Sequence, residues 1–165
     1  ASTVREIKKV MPDTTLETLI PDFDGREELI KQVVDAGPEV VSHNLETVRR
    51  ITPWARSRAK YDTSLKVLEI ISSTDAVSKS GIMVGLGETR EEVIETMDDL
   101  RKVDVEVITI GQYLQPTKKH LPVKEFITPE QFAEYKRIGL DKGFRFVESS
   151  PLVRSSYRAE RHVRR

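Results

Sequence analysis

The sequence predicts an α/β domain of consecutive βα units, arranged as a partial (open) TIM-type barrel with an irregular C-terminal tail. Three observations predict it. Strand-like and helix-like segments alternate at roughly 25–35 residue spacing, as βα units of a parallel sheet do. The stretch from Ser78 to Val103 reads as strand, tight glycine turn and helix. The end of the chain, from Ser149 on, is polar, basic and without periodicity. A closed eight-stranded barrel takes ~250 residues. This chain has 165, and about five strands are expected of it. The expected organisation is one domain over residues 1–148 and a tail over 149–165. A small doubly wound sheet is the structural rival.

Each element has a local reason. Val4, Ile7 and Val10-Met11 form one helical stripe, and Pro12 ends it. Thr14 to Ile20 is β-rich and partly alternating, hence a strand. Asp24, with Glu27 three residues on, is expected to cap the next helix. That helix buries Leu29, Ile30, Val33 and Val34, and Gly37-Pro38 stops it. Glu39 to Ser42 is a short strand. A short helix with Leu45, Val48 and Ile51 inside is expected after it. Thr52 to Tyr61 is irregular and holds the only tryptophan, Trp54. Asp62 is expected to cap a helix that turns Leu65, Val67, Leu68 and Ile71 inward. The central strand, Gly81 to Gly87, leads to Thr89 and Glu92 at capping-box spacing, with Val93, Met97 and Leu100 on one helical face. Val105 to Leu114 is the next strand. Thr128, Pro129 and Gln131 start a helix that runs to about Lys142. Phe144 to Glu148 is the last strand.

Composition excludes several functions. Lys plus Arg is 27 and Asp plus Glu is 27, so no net field draws in nucleic acid or an anionic membrane. No apolar run approaches the ~20 residues of a membrane helix. Cysteine is absent, which removes disulfides, thiolate metal sites and a cysteine nucleophile from this chain. The opening residues read as a helix already under way, so a piece of something longer is expected. With no membrane run and no signal peptide read in the sequence, a cytoplasmic location is expected. Its open sheet edge is expected to favour self-association.

Several residues can carry chemistry, and each has a plainer reading beside it. The amides of Gly85-Leu86-Gly87, with Glu88, can approach a charged or nucleotide-like ligand, or the segment is only a tight βα turn. Arg90 stands where a dinucleotide fingerprint needs its third glycine. His43-Asn44 ends a short strand; Asn44 suits an amino acid or a ribose, or both are turn residues. Lys79 precedes the central strand and reads as a surface lysine. Gln112 and Gln115 flank Tyr113 at a strand end. Glu17 is either at a sheet edge or an inward polar group, since burial unpaired is costly. Arg154-Ser155-Ser156-Tyr157-Arg158, with Arg161-His162, has the composition of a disordered tail. No triad order and no metal-ligand spacing is convincing among the three histidines.

Taken together, some segments are more specific than their parts. GIMVGLGET (Gly81–Thr89), ITIGQYLQPTKKHLPV (Ile108–Val123) and PLVRSSYRAE (Pro151–Glu160) follow in order, with LIPDF (Leu19–Phe23) and SHNLETV (Ser42–Val48) upstream. In this order they resemble the carboxyl half of the lipoyl synthase family of radical S-adenosylmethionine enzymes, and the resemblance covers essentially the whole chain.

The resemblance implies two 4Fe–4S clusters and S-adenosylmethionine in the parent enzyme. A 5′-deoxyadenosyl radical would abstract hydrogens from C6 and C8 of an octanoyl chain on a lipoyl domain or the glycine-cleavage H protein. An auxiliary cluster would give up the sulfur. Ser156 would ligate an iron of that cluster and be released during catalysis; a serine oxygen matches iron less well than thiolate. Gly81 to Glu88 would lie against the adenosylmethionine through Met83, Gly85, Gly87 and Glu88, with Met83 where isoleucine is usual. Asn44 and Gln115 are further implied contacts. The family's cysteine triads are missing, so the chain by itself is expected to be inactive. The alternative is a non-catalytic module that binds an adenosine ligand or the carrier protein.

Overall fold

The structure is a computed structural model and describes residues 1–56, 58 and 60–163. The expectations for the irregular stretch at 57 and 59, and for the tail at 164–165, lie outside the described residues. Among the described residues five strands form one sheet: β1 (Glu17–Leu19), β2 (Val40–Ser42), β3 (Val77–Val84), β4 (Val107–Gln112) and β5 (Phe146–Ser149). Their order is β1-β2-β3-β4-β5, and every adjacent pair is parallel. A doubly wound sheet reverses direction at a switch point. This one does not, so it is an open part of a barrel.

Helices α1 (Ser2–Val10), α2 (Glu27–Val34), α4 (Tyr61–Ser72), α5 (Arg90–Lys102) and α6 (Pro129–Asp141) precede or separate the strands; α3 (Thr52–Ala55) is one turn. Alternate strand residues Val41, Ile82, Val84, Ile108, Ile110 and Val147 share the main core with apolar helix residues such as Ile30, Leu68, Met97 and Phe132. Burying each large apolar side chain stabilises by about 1.5–3 kcal/mol. The opposite residues of the strands, Val40, Val77, Val107 and Phe146, form a second, small cluster. Val163 of the tail packs on that cluster, so the tail crosses the sheet's inner face.

Local signals behave as expected where they depend on a few neighbouring residues. Thr89 Oγ1 accepts from the Glu92 amide at 3.2 Å, and the Glu92 carboxylate accepts from the Thr89 amide at 2.8 Å. This reciprocal pair satisfies two orphan donors at the start of α5. Thr128 caps α6 in the same way, accepting from Gln131.

Several expectations are corrected. Asp24 does not cap α2; it sits in a 3₁₀ turn with φ +54, where Asp22 accepts from its amide, and Arg26 precedes the helix. No helix forms over Leu45 to Ile51. Glu46, at φ +68, instead bridges in parallel to Ile82, although Leu45, Val48 and Ile51 are buried as expected. Asp62 lies in the first turn of α4 without capping it and pairs with Arg49 at 2.5 Å. Lys79 is neither before the strand nor at the surface. It lies within β3, and its side chain is 1% exposed. The tail is not a loose polar segment either, since Val153 and His162 are both buried.

Candidate functional site

Beyond β2 the chain continues alongside β3, the His43 amide donating to Lys79 O at 3.0 Å. The Glu46 amide donates to Gly81 O at 3.0 Å, and the Met83 amide donates to Glu46 O at 2.8 Å. This short pairing turns Asn44 toward the carboxyl end of β3. There a cavity of about 110 Å³ is lined by Asn44, Gly81, Met83 and Thr109, with Arg154 and Ser155 of the tail. The cavity exists because β3 and β4 carry glycines at the right places. A Cβ on Gly81 would come within 2.6 Å of Thr109 Oγ1 and 3.0 Å of Asn44 Oδ1. A Cβ on Gly111 would lie 2.3 Å from the carbonyl oxygen of Val153. The tail can therefore approach the β4 backbone closely only because Gly111 has no side chain.

Asn44 Oδ1 is buried and, among the described residues, has no hydrogen-bond partner. A buried acceptor left unmatched costs about 1–3 kcal/mol, and a ligand that donates to it removes that cost. The Asn44 backbone carbonyl is already taken by Arg56, which donates to it at 3.0 Å and to Ser64 Oγ at 3.1 Å. Neighbouring His43 is structural. Its Nδ1 contacts the Ile20 carbonyl at 2.9 Å, so it carries the proton, and Nε2 accepts from Ser64 Oγ at 2.9 Å. Burial pushes its pKa down.

Of the residues singled out from sequence, the cavity brings Asn44 and Met83 together. Gly85, Gly87, Glu88, Gln115 and Ser156 lie outside its lining. The Glu88 carboxylate folds back on its own turn, accepting from the Gly85 amide at 2.5 Å and the Leu86 amide at 2.9 Å. Burial pushes its pKa up. Gly85 is packed against the segment that follows β4. Gly85 O accepts from the Lys124 amide at 2.8 Å. Gln112 straps that segment down, with Nε2 donating to Glu125 O at 3.0 Å and Oε1 accepting from the Ile127 amide at 2.9 Å. Gln115 is exposed and donates to His120 O. Ser155 lines the cavity, while Ser156, next along a tight turn closed by Tyr157 N to Arg154 O at 2.9 Å, is exposed.

Sequence reasoning missed two buried residues near this face. Lys79 Nζ donates to Glu17 Oε2 at 2.7 Å and to His162 Nδ1 at 3.2 Å. Burial, with the Lys79 ammonium beside it, pushes the His162 pKa down to about 4. Glu17 turns out to satisfy both of its readings, being on the edge strand and paired inward.

These shifts fix a pH dependence. His162 and His43 take up protons more readily unfolded than folded, so stability falls as pH drops below about 6.5 and is level above it. For His162 the loss continues down to about 4. Glu88, with its raised pKa, works the other way. The urea midpoint should therefore be lower at about pH 5 than at about pH 7.5, and His162→Phe should flatten the difference. An unchanged slope in that variant would contradict the buried, neutral ring.

Residues 2–100 match the model of the Radical SAM superfamily. The chain belongs to that superfamily. It is 62% identical over 160 residues to a lipoyl synthase of Treponema denticola, covering 97% of this chain and 55% of that protein. It is 64% identical over 162 residues to a lipoyl synthase of Flavobacterium johnsoniae, covering 98% of this chain and 56% of that one. The chain thus spans a little over half the length of the curated relatives it matches. Among solved structures, a radical S-adenosylmethionine methyltransferase from Kitasatospora setae aligns with TM-score 0.51 and 15% identity, over 66% of this chain and 23% of that one. HMG-CoA lyase from Brucella melitensis aligns with TM-score 0.53 and 12% identity, over 90% of this chain and 62% of that one. At such identities the alignments speak to the barrel-like fold alone. Among the described residues, no helix is long and apolar enough to cross a membrane.

Proposed function

We propose that this chain is the carboxyl-terminal part of a lipoyl synthase, which inserts two sulfurs at C6 and C8 of a protein-bound octanoyl chain in lipoate biosynthesis. The identity of 62% over 160 residues to a lipoyl synthase carries the reading. The carrier is an octanoylated lipoyl domain or the glycine-cleavage H protein.

The cofactors of such an enzyme fit this chain unequally. Clusters of the 4Fe–4S type take cysteine thiolates, and this chain has no cysteine. Among the described residues no group of three or more metal-ligating side chains forms. The chain does not hold a cluster by itself and is inactive alone. Adenosylmethionine fits better, because among the described residues the strand-end cavity holds an unmatched buried acceptor. Asn44 Oδ1 would accept from a ligand ammonium or ribose hydroxyl, and Met83 supplies an adaptable apolar wall. When bound, adenosylmethionine supplies the radical for hydrogen abstraction. Ser156, beside the cavity-lining Ser155, is free to reach an iron held from outside this chain.

The test uses the full-length polypeptide that carries this chain, reconstituted and given an octanoylated lipoyl domain. Lipoyl product should form, and Ser156→Ala should abolish it while leaving the fold intact by circular dichroism. Product formation at the wild-type rate in Ser156→Ala would remove Ser156 from the site, and no product from the unaltered protein would remove the reading.

A further inference from the structure

The Lys79–Glu17–His162 cluster takes no part in the site described above, yet it joins three distant parts of the chain. Lys79 on β3 reaches past β2 to Glu17 on β1, whose other carboxylate oxygen accepts from Ser42 Oγ at 3.3 Å. A lysine ammonium only donates. The contact to His162 Nδ1 at 3.2 Å therefore makes that nitrogen the acceptor and leaves the ring proton on Nε2. Nε2 is buried and has no partner among the described residues, so the ring is held by its other nitrogen. The ring also packs on Phe146 of β5, with centroids 5.5 Å apart, and Arg145 donates to the His162 carbonyl. Charged groups facing the imidazole are Lys79 from β3, Arg145 just before β5, and Glu160 and Arg161 from its own segment.

The tail is thus fastened at two points. One is Val153, whose carbonyl lies where a Gly111 side chain would be. The other is His162. Between them lie Arg154 to Tyr157, with Ser155 at the cavity and Ser156 beside it. A segment tied at both ends has far fewer conformations than one tied at a single end. We propose that Lys79, with Glu17 as its counter-ion, is a positioning residue that fastens His162 to the sheet and so fixes the Ser155–Ser156 turn at the strand mouth. The structural claim stands on these contacts alone; its consequence for catalysis rests on the reading of Ser156 given under Proposed function.

The test begins on this chain. Lys79→Met with Glu17→Gln removes the clasp without stranding a buried charge, and His162→Phe keeps the ring's volume but removes the acceptor. In both variants, amide exchange at Tyr157, at Ala159 and at the residue in position 162 should speed by about ten-fold or more, the worth of one hydrogen bond to a charged group. Exchange in α5 should not change. In wild type the nitrogen spectrum of His162 should show Nδ1 as an unprotonated acceptor, a signature lost in the double variant. Unchanged tail exchange, or equal loosening everywhere, would overturn the clasp. In the full-length enzyme the double variant should then lose at least about ten-fold in sulfur insertion. A loosened tail with undiminished sulfur insertion would overturn the positioning role. If Ser156→Ala is equally without effect there, it is the functional reading that fails.

Discussion

Lys79→Met alone should cost about 3–5 kcal/mol, because it strands Glu17 in a partly buried site without its counter-ion. The Lys79 side chain is 1% exposed and that of Glu17 is 18% exposed, so water replaces little of what is lost. A single contact with Ser42 remains to the carboxylate. Adding Glu17→Gln should restore most of the lost stability, since a neutral amide in that place costs far less than an unpaired carboxylate. Urea unfolding of the two variants measures the difference. Equal midpoints for the single and double variants would mean that solvent, not Lys79, satisfies Glu17.

Gly85→Ala should cost about 2–5 kcal/mol, from backbone strain and from overpacking together. Gly85 has φ +103, which a residue with a Cβ rarely adopts. Its added Cβ would also meet Gln112 Nε2 at 2.3 Å and Glu125 O at 2.5 Å. Gln112 is pinned by three hydrogen bonds and Glu125 O is backbone, so neither yields cheaply. Gly37 provides the control. It has φ +92 but nothing within 4 Å of its Cβ position. Gly37→Ala should therefore pay strain alone and cost about 1–3 kcal/mol. If urea unfolding shows the two substitutions to be equal, the close packing beneath Gly85 is not what the glycine serves.

The parts of the fold legible in the sequence are those decided by near neighbours. The Thr89–Glu92 and Thr128–Gln131 caps depend on residues three apart, and both form. The βα alternation follows from periodicity, so the strand count and the open barrel are legible too. What failed depends on distant chain. Ser78-Lys79-Ser80 breaks an apolar run, which hid the first half of β3. The partners that bury Lys79 are 62 and 83 residues away. Leu45, Val48 and Ile51 are spaced as a helical face, but Glu46 pairs with β3 and the three are buried from an irregular chain. In the site, Asn44 and Met83 meet because Glu46 pairs beside them. Gly85 and Gly87 do not join them, because Glu88 caps their turn from within. The tail's order was invisible because its composition is that of a solvated segment, and the groups that hold it, Gly111, Lys79 and Phe146 among them, are distant in sequence.

If this chain is, as proposed, the carboxyl part of a radical enzyme, the ligands of its clusters lie outside it, since it has no cysteine. Anaerobic reconstitution with iron and sulfide, followed by adenosylmethionine, tests it most directly. The chain alone should develop no iron–sulfur absorbance and release no 5′-deoxyadenosine, while the full-length polypeptide should do both. A stable cluster and 5′-deoxyadenosine from the chain alone would mean that residues of this chain hold the iron themselves.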